Sequence, residues 1–246
     1  MNHMSAAMEE VSTQLLTVSR SEQKYVLSHA DAAALRERIS RVLVRDAHGG
    51  DAGYPVRSLY FDSLNQRDYS EKLAGVEVRR KIRLRTYDAD APSCKLEIKK
   101  KRGAHSEKLS VTVSRKEAEA LSSGDYSPLL HRLDNVREAG VFYETMALGC
   151  YRPTVLVTYN RLAFIHPAGD TRITFDSDIR ASEGARSLYE DAPFMVPVLR
   201  DAIVLEVKYN EVLPEQVAKV LRPFQLTQTA FSKYSESRPL YRLFDG

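Results

Sequence analysis

The segment VEVRRKIRLRTY, residues 76–87, constrains the fold more than any other. Five of its twelve residues are basic, yet it alternates. Glu77, Arg79, Lys81, Arg83, Arg85 and Tyr87 form one set, and Val76, Val78, Arg80, Ile82, Leu84 and Thr86 form the other. A period of two puts these sets on opposite faces of a strand, one mainly apolar and one strongly basic. Such a strand must bury one face and find a use for the charge on the other.

The same pattern recurs along the chain. In a first strand over 19–27, Glu22 and Lys24 share a face. In 94–101, Lys95, Glu97, Lys99 and Lys101 oppose Cys94, Leu96 and Ile98. In 108–113, Lys108, Ser110 and Thr112 oppose Leu109, Val111 and Val113. In 172–180, Arg172, Thr174, Asp176, Asp178 and Arg180 oppose Ile173, Phe175 and Ile179. In 202–209, Glu206 and Lys208 oppose Leu205, Val207 and Tyr209. The strand over 154–165 is less clean, because Tyr159 and Arg161 share a face with Val155 and Val157.

For any single strand, an ordinary sheet with one wet face accounts for this. A wet face usually mixes Ser, Thr, Gln, Lys and Glu, whereas these faces are mostly Arg and Lys with isolated acids. A sheet closed into a barrel, with helices over its apolar outside and charge lining its lumen, accounts for all the strands together. A lumen that basic repels itself when empty. A polyanion relieves the repulsion, since Arg and Lys give charge-assisted hydrogen bonds to phosphate oxygens.

Helices fill the intervals. Ser28 caps one predicted to run to about Val44, with Leu35, Ile39, Val42 and Leu43 on one face. A short one spans 66–73, Ser114 caps another, and a helical region covers 127–148. Pro214 starts one to about Leu221. The tail FSKYSESRPLYRLF reads as a helix broken near Pro239. The class is α+β, an antiparallel β-barrel tunnel with helices packed outside. Residues 1–18 read as a flexible tail and 19–246 as one domain.

The net charge of +3 does not by itself announce a nucleic-acid binder. The basic residues alternate with apolar ones and Trp is absent, so a nucleic-acid surface is set aside. Two cysteines without CxxC or zinc spacing point to a reducing, cytoplasmic setting. The N-terminus has no apolar core, and no run is long enough to span a bilayer. No Ser-His-Asp or Cys-His constellation is visible. Glu22, Glu97 and Glu206 each stand two residues before a lysine, Lys24, Lys99 and Lys208. An isolated carboxylate among phosphates suits Mg²⁺ or Mn²⁺. For Glu22 and Glu97, simple neutralisation of the neighbouring lysine is an equal reading.

The pieces EQKYVL, SLYFD, RRKIRLRTY, KLEIKKK with a downstream EK, TYNR, RITFD, VLEVKY and FSKY occur in this order from about residue 20 to 236. Together they resemble the VTC domain, the polyphosphate polymerase domain of the triphosphate tunnel metalloenzymes. That resemblance implies a tunnel that binds ATP and inorganic polyphosphate and needs Mn²⁺ or Mg²⁺. It implies Lys233, Arg83, Arg85 and Lys99 at the reacting phosphates, and Lys24, Lys108, Arg161 and Arg172 as further phosphate contacts. Lys81 and Lys208 join the phosphate contacts on the lumen face. Glu206 matches the acidic metal ligand, with Glu97 and Glu22 as weaker ones. Eukaryotic members add an SPX domain and membrane helices, which this sequence lacks, so a membrane partner would be a separate chain. On the same tunnel, relatives with a fuller ExExK motif are triphosphatases or adenylate cyclases. Only Glu22-x-Lys24 of that motif is present here. A short-chain polyphosphatase, or a non-enzymatic module that binds polyphosphate or an inositol phosphate, are the other readings.

Overall fold

A computed structural model describes residues 20–103, 105–133, 137–166 and 171–238. The tail expected over 1–18 and the break expected at Pro239 lie outside the described residues. Ten strands form one antiparallel sheet. Its main path is β1 (Arg20–Ser28), β10 (Ala202–Asn210), β8 (Thr171–Ser182), β7 (Arg152–Ile165), β3 (Tyr54–Asp62), β4 (Val78–Thr86), β5 (Ser93–Arg102) and β6 (His105–Ser114). Two short strands join it. β2 (Val44–Arg45) pairs with β7 and β9 (Val196–Pro197) with β8.

The alternation read from the sequence decides which face is dry. One convex cluster joins Ile82 and Leu84 of β4, Leu96 and Ile98 of β5, and Val111 and Val113 of β6 to Leu121, Leu129, Phe142 and Met146. These last four lie on α3 (Arg115–Ser123), α4 (Ser127–Leu130) and α5 (Arg137–Leu148). A second joins Tyr25, Leu27, Ile173, Phe175, Leu205 and Val207 to Leu35 and Ile39 of α1 (His29–Ile39) and Val217 of α6 (Glu215–Leu221). A fully buried Leu or Ile contributes about 1.5–3 kcal/mol, so these clusters fix the outward face of each strand.

The charged face turns inward. Lys99 of β5 donates to Glu22 of β1 at 2.9 Å, although five strands separate them along the sheet. Only a sheet curled on itself allows that contact. Among the described residues no backbone pairing joins β6 to β1, so the tunnel is curled rather than sewn shut. The free edge of β1 is taken instead by the C-terminal segment, where Tyr25 bridges Gln228 and Thr229 N–H donates to the Lys24 carbonyl.

Local differences from the sequence reading have physical causes. Helix α1 stops at Ile39 rather than continuing to Val44, because Val44 and Arg45 leave it to pair with Ile165 and Phe164. The region 127–148 divides into α4 and α5. Capping at Ser28 and Ser114 is as expected, and Ser114 forms a capping box with Glu117. Asp178 adopts a positive φ of 47°, and the β7–β8 register shifts beside it. That bulge inverts the alternation. Ile179 and Ala181 therefore point to the concave side, while Asp178 and Arg180 pair with each other near the surface instead of continuing the charged row. The C-terminal helix α7 is only Lys233–Glu236.

Candidate functional site

The lumen has two chemically distinct walls. On the wall of β1, β10, β8 and β7, cross-strand neighbours alternate in sign. Glu22 stands opposite Lys208 and Lys24 opposite Glu206. Lys24 and Lys99 hold Glu22, at 2.8 and 2.9 Å. Lys208 lies 2.8 Å from one Glu206 oxygen, and Arg161 lies 3.8 Å from the other. Arg161 also makes a two-point contact with Asp176, Nε to Oδ1 at 2.7 Å and Nη2 to Oδ2 at 2.8 Å. Lys233 donates to Asp176 Oδ2 at 2.5 Å.

The wall of β4, β5 and β6 is more basic. Glu97 takes Arg83 at 2.7 Å on one oxygen and Lys108 on the other. Arg83 also reaches the Tyr60 hydroxyl at 3.2 Å. Among the described residues Arg85 donates to neutral oxygens alone, Ser58 Oγ and Tyr159 Oη, each at 3.0 Å. Lys81 Nζ donates to Ser232 Oγ at 2.5 Å.

These surroundings set the protonation states. Burial alone would raise Glu206, but Lys208, Lys24, Arg161 and Lys233 outweigh it and hold the carboxyl well below its usual range. Asp176 is held down in the same way against its burial, by Lys233 and Arg161. Burial opposes ionisation of Glu97 too, yet Arg83, Arg85 and the bond from Lys108 bring it to about 2. Lys81 behaves oppositely. Burial first, then Lys24, Lys72, Lys99 and Arg83, push it down to about 7. These cations lie close together on the inward face of the sheet, with the carboxylates spaced between them.

A family model, the VTC domain, matches residues 19–241. The chain belongs to the VTC domain family. No curated protein matches it. Solved structures are similar to it, among them two bacterial proteins. One, a candidate adenylate cyclase from Bacillus halodurans, has 13% identity and a TM-score of 0.48, with 87% of this chain and 95% of that one covered. The other, a candidate adenylate cyclase from Vibrio parahaemolyticus, has 12% identity and a TM-score of 0.49, with 89% and 97% covered.

In this VTC domain the lumen gathers Lys24, Lys81, Arg83, Arg85, Lys99, Lys108, Arg161, Lys208 and Lys233. Arg172 sits apart from the Asp176 centre. It pairs with Asp46 at 2.6 Å and with the Tyr54 hydroxyl at 3.1 Å, and is partly exposed. Lys233 reaches the lumen because the C-terminal segment crosses the concave face. Phe231 and Tyr234 pack with Tyr60, Val155, Val157, Tyr159 and Val204 in a third apolar cluster. Tyr234 donates to buried Asp62, which also accepts from Asp68 N at 2.9 Å and Tyr69 N at 3.0 Å. That anchor fixes where Lys233 begins. Lys233 Nζ then lies 4.7 Å from the centre of the Tyr159 ring, a cation–π contact.

Sequence reasoning missed several members. Asp176 is the link between Arg161 and Lys233, whereas the sequence places it only on the charged face of its strand with Arg172. Its position in register with Arg161 across β7 and β8 is invisible until the strands are paired. Asp46 follows a two-residue strand that is too short to alternate. Ser58, Tyr60 and Ser232 are neutral and carry no charge pattern.

A divalent ion is the cofactor expected of this site. Among the described residues, no group of three or more His, Cys, Asp or Glu can hold a metal ion by itself. Glu22 and Glu206 are diagonal neighbours on one face of β1 and β10, close enough to disfavour each other's ionisation. This pair fits Mg²⁺ or Mn²⁺ where phosphate oxygens complete the shell, since such ions are commonly held by one or two carboxylates plus substrate phosphates. Among the described residues no helix is long and apolar enough to cross a membrane.

Proposed function

We propose that this VTC domain transfers the γ-phosphoryl group of ATP to the end of a growing polyphosphate chain inside its tunnel, in a divalent-metal-dependent reaction. One observation carries the reading. Cations from β1, β4, β5, β6, β7, β10 and α7 converge on a single lumen and outnumber its carboxylates. No neutral or cationic substrate needs such a lining, and an extended polyanion matches it along its length.

Lys24, Lys81, Lys108, Arg161 and Lys208 bind phosphate oxygens along the lumen and Arg172 does so apart from the Asp176 centre, with Lys233, Arg83, Arg85 and Lys99 beside the reacting groups. The acceptor is already an anion, so the reaction needs no strong general base. The obstacle is repulsion between two anions. Fixed cations lower it and hold donor and acceptor in line. Arg83 is pre-aimed by Glu97 and Tyr60, and Lys233 by Asp176 and the Tyr159 ring, so neither must reorganise during transfer. Glu206 and Glu22 would hold the ion, which when bound neutralises phosphate charge. Glu97, with both oxygens already engaged, serves chiefly to orient Arg83 and Lys108.

The test is incubation of purified protein with ATP and Mn²⁺ or Mg²⁺, with and without short polyphosphate, and separation of products by chain length. Chain growth is the expected result. Release of phosphate from short polyphosphates without growth would replace the polymerase with a hydrolase. Tight polyphosphate binding with neither product would leave a binding module.

A further inference from the structure

We propose that Ser232 is a phosphoryl acceptor, a modification site on which the domain starts its own chain, with Lys81 taking the hydroxyl proton. The inference rests on the ATP-dependent activity proposed above and goes beyond it, because it concerns what receives the first phosphoryl group when no primer is present.

Three observations place it. Ser232 Oγ lies 2.5 Å from Lys81 Nζ, a side chain of the lumen face of β4 that meets it across the tunnel. Ser232 is 5% exposed, so water competes little for its hydroxyl. It immediately precedes Lys233, which lies beside the Asp176 and Arg161 centre. Lys81 differs from the lumen lysines of the acidic wall. Among the described residues no carboxylate pairs with it, while Lys24, Lys72, Lys99 and Arg83 surround it with positive charge. A lysine in that setting gives up its proton near neutral pH and can act as a base toward a serine, as in Ser–Lys dyads.

The step balances. Ser232 Oγ bonds to the γ-phosphorus of ATP as the bond from that phosphorus to the β,γ-bridging oxygen breaks. The hydroxyl proton passes to Lys81 Nζ, and ADP leaves with the electron pair of the broken bond. The products are phosphoserine, ADP and a protonated Lys81. The new dianion then faces the charge that the transfer created. A free oxygen of the phosphoserine can accept the next γ-phosphoryl group, so the chain grows from the protein.

The experiment uses the full chain, ATP and Mn²⁺ or Mg²⁺ without primer. The reaction is quenched in acid, followed by intact mass measurement and peptide mapping, with a tripolyphosphate-primed reaction in parallel. Acid removes a phosphoryl group from a lysine nitrogen and spares a serine ester, so the surviving adduct reports Ser232 itself. The expected result is one or more phosphoryl groups mapped to Ser232, lost in Ser232→Ala and reduced at least about 10-fold in Lys81→Met. The map of the unaltered protein decides the matter even if either variant folds poorly. Primed growth with Ser232 unmodified overturns this inference and leaves the polymerase standing. A single phosphoryl group on Ser232 with no chain growth, primed or unprimed, supports the acceptor and sinks the polymerase. An unmodified Ser232 without any growth overturns both.

Discussion

The two walls of the tunnel are built from the same alternating strands, yet they differ in their acids. The β1, β10 and β8 wall carries Glu22, Glu206 and Asp176, each held by at least two cations. The β4, β5 and β6 wall carries Glu97 alone among Lys81, Arg83, Arg85, Lys99 and Lys108. A carboxylate set can share a divalent ion with phosphate, whereas a nearly pure cation surface can only hold phosphate. On the function proposed above, the acidic wall would hold the ion, while Arg83, Arg85 and Lys99 of the basic wall meet the reacting phosphates and Lys108 grips the chain.

The largest expected effect tests the acidic wall. Glu206→Gln lowers kcat at least about 100-fold, because it removes a charged ligand while keeping the shape. Polyphosphate affinity in the same variant holds or rises, since a negative charge has left a polyanion site. Measuring turnover and binding on one preparation checks both. Loss of binding in step with turnover would mean that Glu206 only shapes the site. Next comes Lys233→Ala, expected to lower kcat about 100-fold with a smaller change in KM. It also lowers the melting temperature, because fully buried Asp176 keeps only Arg161. A normal kcat would place the reacting phosphates away from α7.

Much of this contrast is legible in the sequence. Period-two alternation put Lys24, Arg83, Arg85, Lys99, Lys108, Glu206 and Lys208 on one face of their strands, because burial of Ile82, Leu96 or Val207 leaves the neighbouring side chain no other direction. What alternation cannot reveal is a break in itself. The bulge at Asp178 put Asp178 and Arg180 on the wrong face, and nothing in TRITFDSDIR announces a positive φ there. Nor can it tell which strands meet across the lumen. The contact from Lys99 to Glu22, and from Lys81 to Ser232, depends on curvature, which is a property of the whole sheet. Lys233 lay beyond strand reasoning altogether, since it stands on a four-residue helix and only the FSKY resemblance pointed to it.

At Lys108 on the basic wall the effect is smaller and different in kind. Lys108→Ala is expected to raise KM for polyphosphate about 3- to 10-fold, with kcat little changed, because its side chain is about half exposed and screened by solvent. The salt dependence of binding becomes shallower, as one ionic contact is gone. Steady-state kinetics at two salt concentrations would show it. A kcat loss comparable to that of Glu206→Gln would erase the distinction between the walls.

The smallest effect asks whether cations, rather than burial, keep the lumen acids ionised. Asp68 supplies the control outside the lumen. It is fully buried at the start of α2 (Arg67–Leu73), where the Tyr151 hydroxyl contacts both its oxygens and Arg80 stands 3.6 Å away. Burial, then the nearby Asp62, raise its carboxyl to about 7. The folded protein therefore holds that proton more tightly than the unfolded chain. Stability falls as pH rises from about 4 through about 7 and levels off above. Asp68→Asn removes this titration, so it should be more stable than the parent at pH 8 by on the order of 1 kcal/mol, and the difference should shrink by pH 5. Glu97 has the opposite sign. Its folded value near 2 means that its stabilisation is present above about 4.5 and lost as pH falls toward 2. Glu97→Gln should then be less stable than the parent at pH 8. Thermal melts of the two variants at pH 5 and 8 decide. If both variants lose stability at pH 8, the weaker counter-charge at Asp68 does not distinguish it from the lumen acids, and the cations lose their assigned role.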